Sequence, residues 1–101
     1  GTWKSDRDKS MRAVYRVGVT AKQEAVLKEL FGDLELTFEA KEIVTTFKGK
    51  TERTRYTIVS ENGDCYRIRA AGEVSEACLR DGDLHMESSF KGADEVFVKV
   101  Q

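Results

Sequence analysis

The stretch that decides the fold is the opening one, Gly1-Thr2-Trp3-Lys4, together with the two helical patterns that follow it over residues 5–32. Trp3 and its neighbours read as a short strand. Ser5 or Asp6 can accept hydrogen bonds from the free amides that begin a helix. Met11, Val14 and Tyr15 stand at i, i+3 and i+4, one apolar stripe. Gly18 suits the left-handed residue that ends such a helix. Thr20, with Gln23 three residues on, makes a capping box for a second helix. Ala25, Val26, Leu27, Leu30 and Phe31 give that helix a buried side, and Gly32 ends it.

From Leu34 the apolar period changes from helical to two. Leu34, Leu36 and Phe38 alternate with Glu35, Thr37 and Glu39. A turn at Ala40-Lys41 places Phe38 opposite Ile43 and Leu36 opposite Thr45. A second turn at Lys50-Thr51 then places Phe47 opposite Thr54, Thr45 opposite Tyr56 and Ile43 opposite Ile58. Both keep one face apolar, which is what sets register. At Glu61-Asn62-Gly63 a three-residue loop with a bulge puts Ile58 opposite Tyr66 and Tyr56 opposite Ile68. A two-residue Asn62-Gly63 turn would mix the faces. Ala71-Gly72 and Asp81-Gly82 turn the next hairpins. They pair Tyr66 with Ala77, Ile68 with Ser75, Leu79 with Leu84, Ala77 with Met86 and Ser75 with Ser88. A last strand runs from about Glu95 to Val100.

The expected fold is therefore mainly β. It is an antiparallel up-and-down barrel of about eight strands, with a two-helix lid between the first and second strands. The last strand closes on the first and removes the sheet edges. At 101 residues, with no break in composition, the chain reads as one domain, 1–101. Hydrophobic residues make up 40% and charged residues 35%, which fits a folded domain rather than a disordered one. A formal net charge of -1 removes any broad attraction to nucleic acid or anionic membrane. No run is long enough for a membrane-spanning helix. The chain begins at Gly1 rather than Met, so a leader could have been removed and the compartment stays open, with the cytoplasm slightly favoured.

The inward face on this pairing carries Leu36, Phe38, Thr45, Phe47, Tyr56, Ile58, Tyr66, Ile68, Ala77, Leu79, Leu84, Met86 and Phe90. It is apolar with a few hydroxyls, the makeup of a small-molecule site, and equally that of a packed core. Trp3 reads as a plug at the closed end rather than a ligand contact. Cys65, Cys78 and His85 fall in one outward row. Strands sit ~4.8 Å apart, so Cys65 and His85 are ~10 Å apart and cannot share one ion held at ~2.0–2.3 Å. No metal or cofactor is expected, and two unpaired thiols are preferred to a cross-strand disulfide. Arg53, Arg55, Arg67 and Arg69 also point outward, with Arg55 opposed to Arg69 and Glu76 across from Arg67. With no exposed aromatics interleaved among them, they read as a solvated face. One His without an orienting acid, and no nucleophile or phosphate-cradling motif, argue against an enzyme.

Gly1-x-Trp3 resembles the Gly-x-Trp start of the calycins: lipocalins, avidins and fatty-acid-binding proteins. The helix pair, the Val17-Gly18-Val19 turn, Asp81-Gly82-Asp83-Leu84, Lys91-Gly92 and Phe97-Val98-Lys99-Val100 are similar to the fatty-acid-binding proteins in particular. The chain is one hairpin shorter than members of that family. The family's carboxylate-binding Arg-x-Tyr pair on the last strand corresponds here to Glu95 and Phe97, neither of which can hold a carboxylate. The resemblance turns Glu95 and Phe97 inward, whereas periodicity would bury Val96, Val98 and Val100. The functional expectation is non-enzymatic binding of a small neutral hydrophobic molecule, lined by Phe38, Thr45, Phe47, Tyr56, Ile58, Tyr66, Met86 and Phe97. The alternative is a packed barrel acting as an interaction module or homodimer through outward Val44 and Val59.

Overall fold

Eight strands close into one antiparallel barrel in which each pairs with its neighbours in sequence and the last returns to the first. They are β1 (Thr2–Ser5), β2 (Glu35–Phe38), β3 (Glu42–Phe47), β4 (Lys50–Asn62), β5 (Cys65–Ala70), β6 (Glu73–Arg80), β7 (Asp83–Glu87) and β8 (Asp94–Lys99). Two helices, α1 (Arg7–Val17) and α2 (Ala21–Leu30), stand between β1 and β2. This computed structural model describes residues 1–88, 90 and 92–100; Lys91 of the Lys91-Gly92 motif lies outside the described residues.

The helix caps follow the residues that specify them. Asp6 Oδ1 accepts the Lys9 N–H at 2.9 Å. Thr20 and Gln23 satisfy each other's backbone amides in the expected capping box. The buried side is narrower than the apolar stripes imply. Met11, Val14, Leu27 and Phe31 are buried, whereas Tyr15, Val26 and Leu30 are exposed. A short helix resting on one side of a barrel has room to bury only the residues at its line of contact.

Three hairpins share one turn chemistry. Lys48-Gly49, Ala71-Gly72 and Asp81-Gly82 each place both central residues at positive φ, the geometry whose twist matches that of paired strands. The last two were expected and give the expected registers around them, from Tyr66↔Ala77 to Leu79↔Leu84. The expected Lys50-Thr51 turn is replaced by Lys48-Gly49. Phe47 therefore faces Lys50 and Ile43 faces Thr54, four residues from the expected partner. The next loop is a two-residue Gly63-Asp64 turn, with the bulge displaced up the strand to Val59. Ile58 consequently faces Ile68 rather than Tyr66, and Tyr56 faces Ala70. The β6–β7 ladder ends at Ala77↔Met86, so Ser88 does not reach Ser75. Its hydroxyl instead donates to the Ala93 carbonyl at 2.6 Å and accepts the Phe90 N–H, pinning the connection into β8.

The new registers change the charged outer face. Arg69 lies across from Thr57 and Arg55 across from Glu42, so the two arginines are not opposed. Arg53 reaches Glu39 at 2.8 Å and Glu42 at 3.6 Å. Cys65 and Cys78 are directly opposite, Cα to Cα 4.0 Å, and are joined as a disulfide rather than left as thiols. Direct opposition on adjacent strands brings the two thiols close enough to be joined. No helix of the described residues is long and apolar enough to cross a membrane.

Two apolar clusters result. Leu36, Ile43, Ile68, Ala77, Leu84 and Phe97 pack inside the barrel. Met11, Val14, Leu27, Phe31 and Ala93, with Phe90 beside them, join the helices to the end where β1 leaves and β2 enters. Phe90 thus belongs to the helical cluster and not to the barrel interior.

The barrel closes where β1 meets β8 through Trp3↔Lys99, Lys4↔Val98 and Ser5↔Phe97. At Val96 the strand partner has run out, and α1 takes its place. Ser10 Oγ accepts the Val96 N–H at 2.8 Å and donates to the Val96 carbonyl at 3.3 Å, while the Asp6 N–H donates to that same carbonyl. Ser10 is fully buried, so no water can stand in for it. Ser10→Ala should leave a buried amide unpaired and cost about 1–3 kcal/mol. A melt followed by circular dichroism would show a midpoint lowered by roughly 4–8 °C per kcal/mol. An unchanged midpoint would mean that this hydroxyl carries none of the closure.

Candidate functional site

Inward side chains of six strands enclose a cavity of about 210 Å³. Its walls are Trp3, Phe38, Tyr56, Ile58, Tyr66, Ile68, Ala77, Leu79 and Leu84. Phe38 ends β2, Leu79 lies near the end of β6, and Tyr66 and Leu84 lie near the starts of β5 and β7. At the start of β7 the wall meets α1, whose Lys9 Nζ donates to Asp83 Oδ2 at 2.6 Å. Half-exposed Ile58 stands at the mouth of the cavity.

The expected residues divide by depth. Phe38, Tyr56, Ile58 and Tyr66 line the cavity as expected. Thr45, Phe47, Met86 and Phe97 do not. Thr45 and Phe47 were placed beside Tyr56 and Thr54 by the Lys50-Thr51 turn. The true turn carries them toward the helix end, where Thr45 faces Glu52 and Phe47 faces Lys50, with the Lys48 ammonium 5.5 Å from its ring. Met86 packs against the barrel cluster beside Glu95 without reaching the cavity. Phe97 is only 2% exposed and fills the interior. Trp3, expected as a plug, is a wall residue instead, because β1 holds it beside Leu36 at the level of the opening. The signal for Ile68, Ala77, Leu79 and Leu84 was already in the period-two pattern, and their register was read correctly.

Polar groups in the cavity are few. Phe38 and Tyr56 meet edge to face, centroids 5.9 Å apart, a favoured aromatic arrangement. The Tyr56 hydroxyl donates to the Glu39 carbonyl at 2.7 Å, which fixes the ring at the rim. Among the described residues no side-chain hydrogen bond engages the Tyr66 hydroxyl or the Trp3 indole N–H, so these two wall groups are able to meet a ligand's polar atom. No wall residue is charged. A broader groove of about 770 Å³ runs outside the wall along β4 and carries Lys41, Arg55 and Arg69. It lies against β4, the end of β5 and the turns beside them, and shares Tyr56 and Ile58 with the smaller cavity. The smaller cavity is the better candidate because many strands hold its walls rigidly.

The last strand is buried on both sides at its middle, Val96 and Phe97, whereas Val98 is half-buried and Val100, which periodicity would bury, is exposed. Phe97 and Glu95 face inward, opposite Leu84 and Met86, and Val96 lies outward beneath α1. The inward facing that the resemblance implied and the burial of Val96 that periodicity implied thus both hold. Glu95 sits one inward position nearer the helices than Phe97. Ser5 Oγ donates to Glu95 Oε2 at 2.6 Å and accepts the Gly32 N–H at 3.0 Å. Phe97 stands between this carboxylate and the cavity.

No family model, curated protein or solved structure matches the chain.

Burial pushes the Glu95 carboxyl above its ordinary value, and the Ser5 hydrogen bond opposes this in part. The folded protein therefore holds this proton more tightly than the unfolded chain. Glu95 favours folding most below the ordinary carboxyl range, and that contribution is lost as pH rises through the raised folded value. Glu95→Gln should raise the melting midpoint above that window and leave it nearly unchanged below it. Parallel melts of wild type and variant at acid and neutral pH would check the sign. A variant destabilised at neutral pH would show that the charged carboxylate is held favourably.

Proposed function

We propose that this chain is a calycin-like binding protein that holds a small neutral apolar molecule in the open end of its barrel. The observation that carries the reading is the uncharged cavity of about 210 Å³, walled by aromatic and aliphatic side chains with Tyr66 and Trp3 as its polar handles. The volume is only slightly above that of an apolar cavity known to take benzene, roughly 150 Å³. The ligand class is thus single-ring aromatics, short alcohols and small esters. Long-chain acids are disfavoured for two reasons. The chain has nowhere to go past Phe97, and a carboxylate entering such walls loses hydration with no cation to replace it. No catalytic constellation lies at the cavity, so the proposed role is binding alone.

Trp3 is the sole tryptophan and a wall residue, so its fluorescence reports directly on occupancy. Titration with p-cresol or toluene should shift and quench its emission saturably, while benzoate binds at least tenfold more weakly. Ala77→Leu, which adds bulk to the wall, should abolish the response to the neutral compounds while the protein still melts cooperatively. Trp3 emission that is indifferent to every neutral compound would remove the reading. Native mass spectrometry of protein from its source would report any resident molecule.

A further inference from the structure

The outer face of β5 and β6 carries a group of residues that the barrel cavity does not use. Cys65 and Cys78 are cross-strand neighbours, and Glu76 lies two residues before Cys78 on the same face of β6. The two sulfurs and a Glu76 carboxylate oxygen all lie within 4.8 Å of one another. Cys78 is buried, Cys65 is half-buried and Glu76 is exposed. Among the described residues Glu76 makes no ion pair, although Arg67 is its partner across the ladder.

We propose that, once the Cys65–Cys78 disulfide is reduced, Cys65, Cys78 and Glu76 bind one divalent ion of the zinc class. The pair then alternates between a covalent staple and a metal site. Two thiolates on a tetrahedral ion at ~2.3 Å each stand ~3.8 Å apart. Directly opposed positions on a sheet hold their Cβ atoms ~4.5–5.5 Å apart, which lets both sulfurs reach that span without moving the backbone. Glu76 supplies a third ligand from the same strand as Cys78. It thereby avoids the two-strand reach that keeps His85 from sharing an ion with Cys65. Thiolates with a carboxylate and an open fourth position suit zinc and cadmium rather than magnesium or calcium. The disulfide form offers no thiolate, so oxidation closes the site.

The chemistry balances with a dithiol reductant. Two electrons and two protons pass from the reductant to the disulfide, its S–S bond breaks, and the reductant closes its own disulfide. Metal binding then displaces the two thiol protons to solvent.

The test starts from purified protein split into two samples. One is left oxidised. The other is reduced with dithiothreitol and freed of it by anaerobic gel filtration. Both are titrated with cadmium, read by the thiolate-to-metal charge-transfer absorption, and with zinc against a chromophoric chelator. The reduced protein should take up one ion per chain with the absorption band, and the oxidised protein none. Cys78→Ser should weaken binding by about a hundredfold or more, and Glu76→Gln by roughly ten- to a hundredfold, in the range for groups that shape a metal site. Glu76 is exposed, so its variant should keep the fold even if the cysteine variants do not. Far-ultraviolet circular dichroism of the reduced wild type checks that the sheet persists. The proposal is overturned if the folded, reduced protein takes up no ion at micromolar concentrations. It is equally overturned if the oxidised protein binds as tightly, or if Glu76→Gln matches wild type.

Discussion

The barrel depends on one short strand. β1 has four residues, and it must hydrogen-bond β2 on one side and β8 on the other. A strand this short cannot pair along the full length of β8. The remainder falls to α1, whose first turns carry Asp6 and Ser10 against Val96. The closure is thus half sheet and half helix. That is why β8 is buried on both faces at its middle and why the helices follow β1 directly. It also explains why a buried serine, an unfavourable residue for a helix interior, sits at Ser10: it bonds a strand that would otherwise end in an unpaired edge.

Which way each side chain faces was legible in the sequence, but how deep it lies was not. Side chains alternate along a strand, so any error of an even number of residues leaves every residue on its expected face. The β3–β4 pairing was misread by four residues and the β4–β5 pairing before the bulge by two, and neither shift turned a side chain over; past Val59 the shift is three, so Ser60 changes face, and Glu61 and Asn62, read as loop, are strand residues. What these slips changed was depth. Thr45 and Phe47 keep their face yet sit toward the helix end, away from the cavity. Lys48-Gly49 carried the same signal as Ala71-Gly72, a residue of any type before glycine between two alternating runs. Reading it as a turn would have set the β3–β4 register correctly. The bulge at Val59 left no comparable mark, because its only trace is a pairing offset between strands.

The disulfide and the helix faces show a different limit. Cys65 and Cys78 were correctly placed opposite each other, and opposition is most of what a disulfide requires. Sequence alone does not state the redox state. In the same way the apolar stripe of α2 is real, but a helix resting on one side of a barrel covers only Leu27 and Phe31 and leaves Val26 and Leu30 outside. Pattern reports what could be buried, and the geometry of contact decides how much is.

The cavity has a floor as well as walls. Phe97 and Leu36 fill the interior above it, and the helical hairpin lies beyond them at the far end. Phe97 thus closes the pocket on its inner side, and half-exposed Ile58 marks its mouth. In the proposed binding role, a guest would pass Ile58 and the ring of Tyr56 on its way in and out. Its residence time would then be governed by side-chain rotations at the mouth and by apolar contact with the walls.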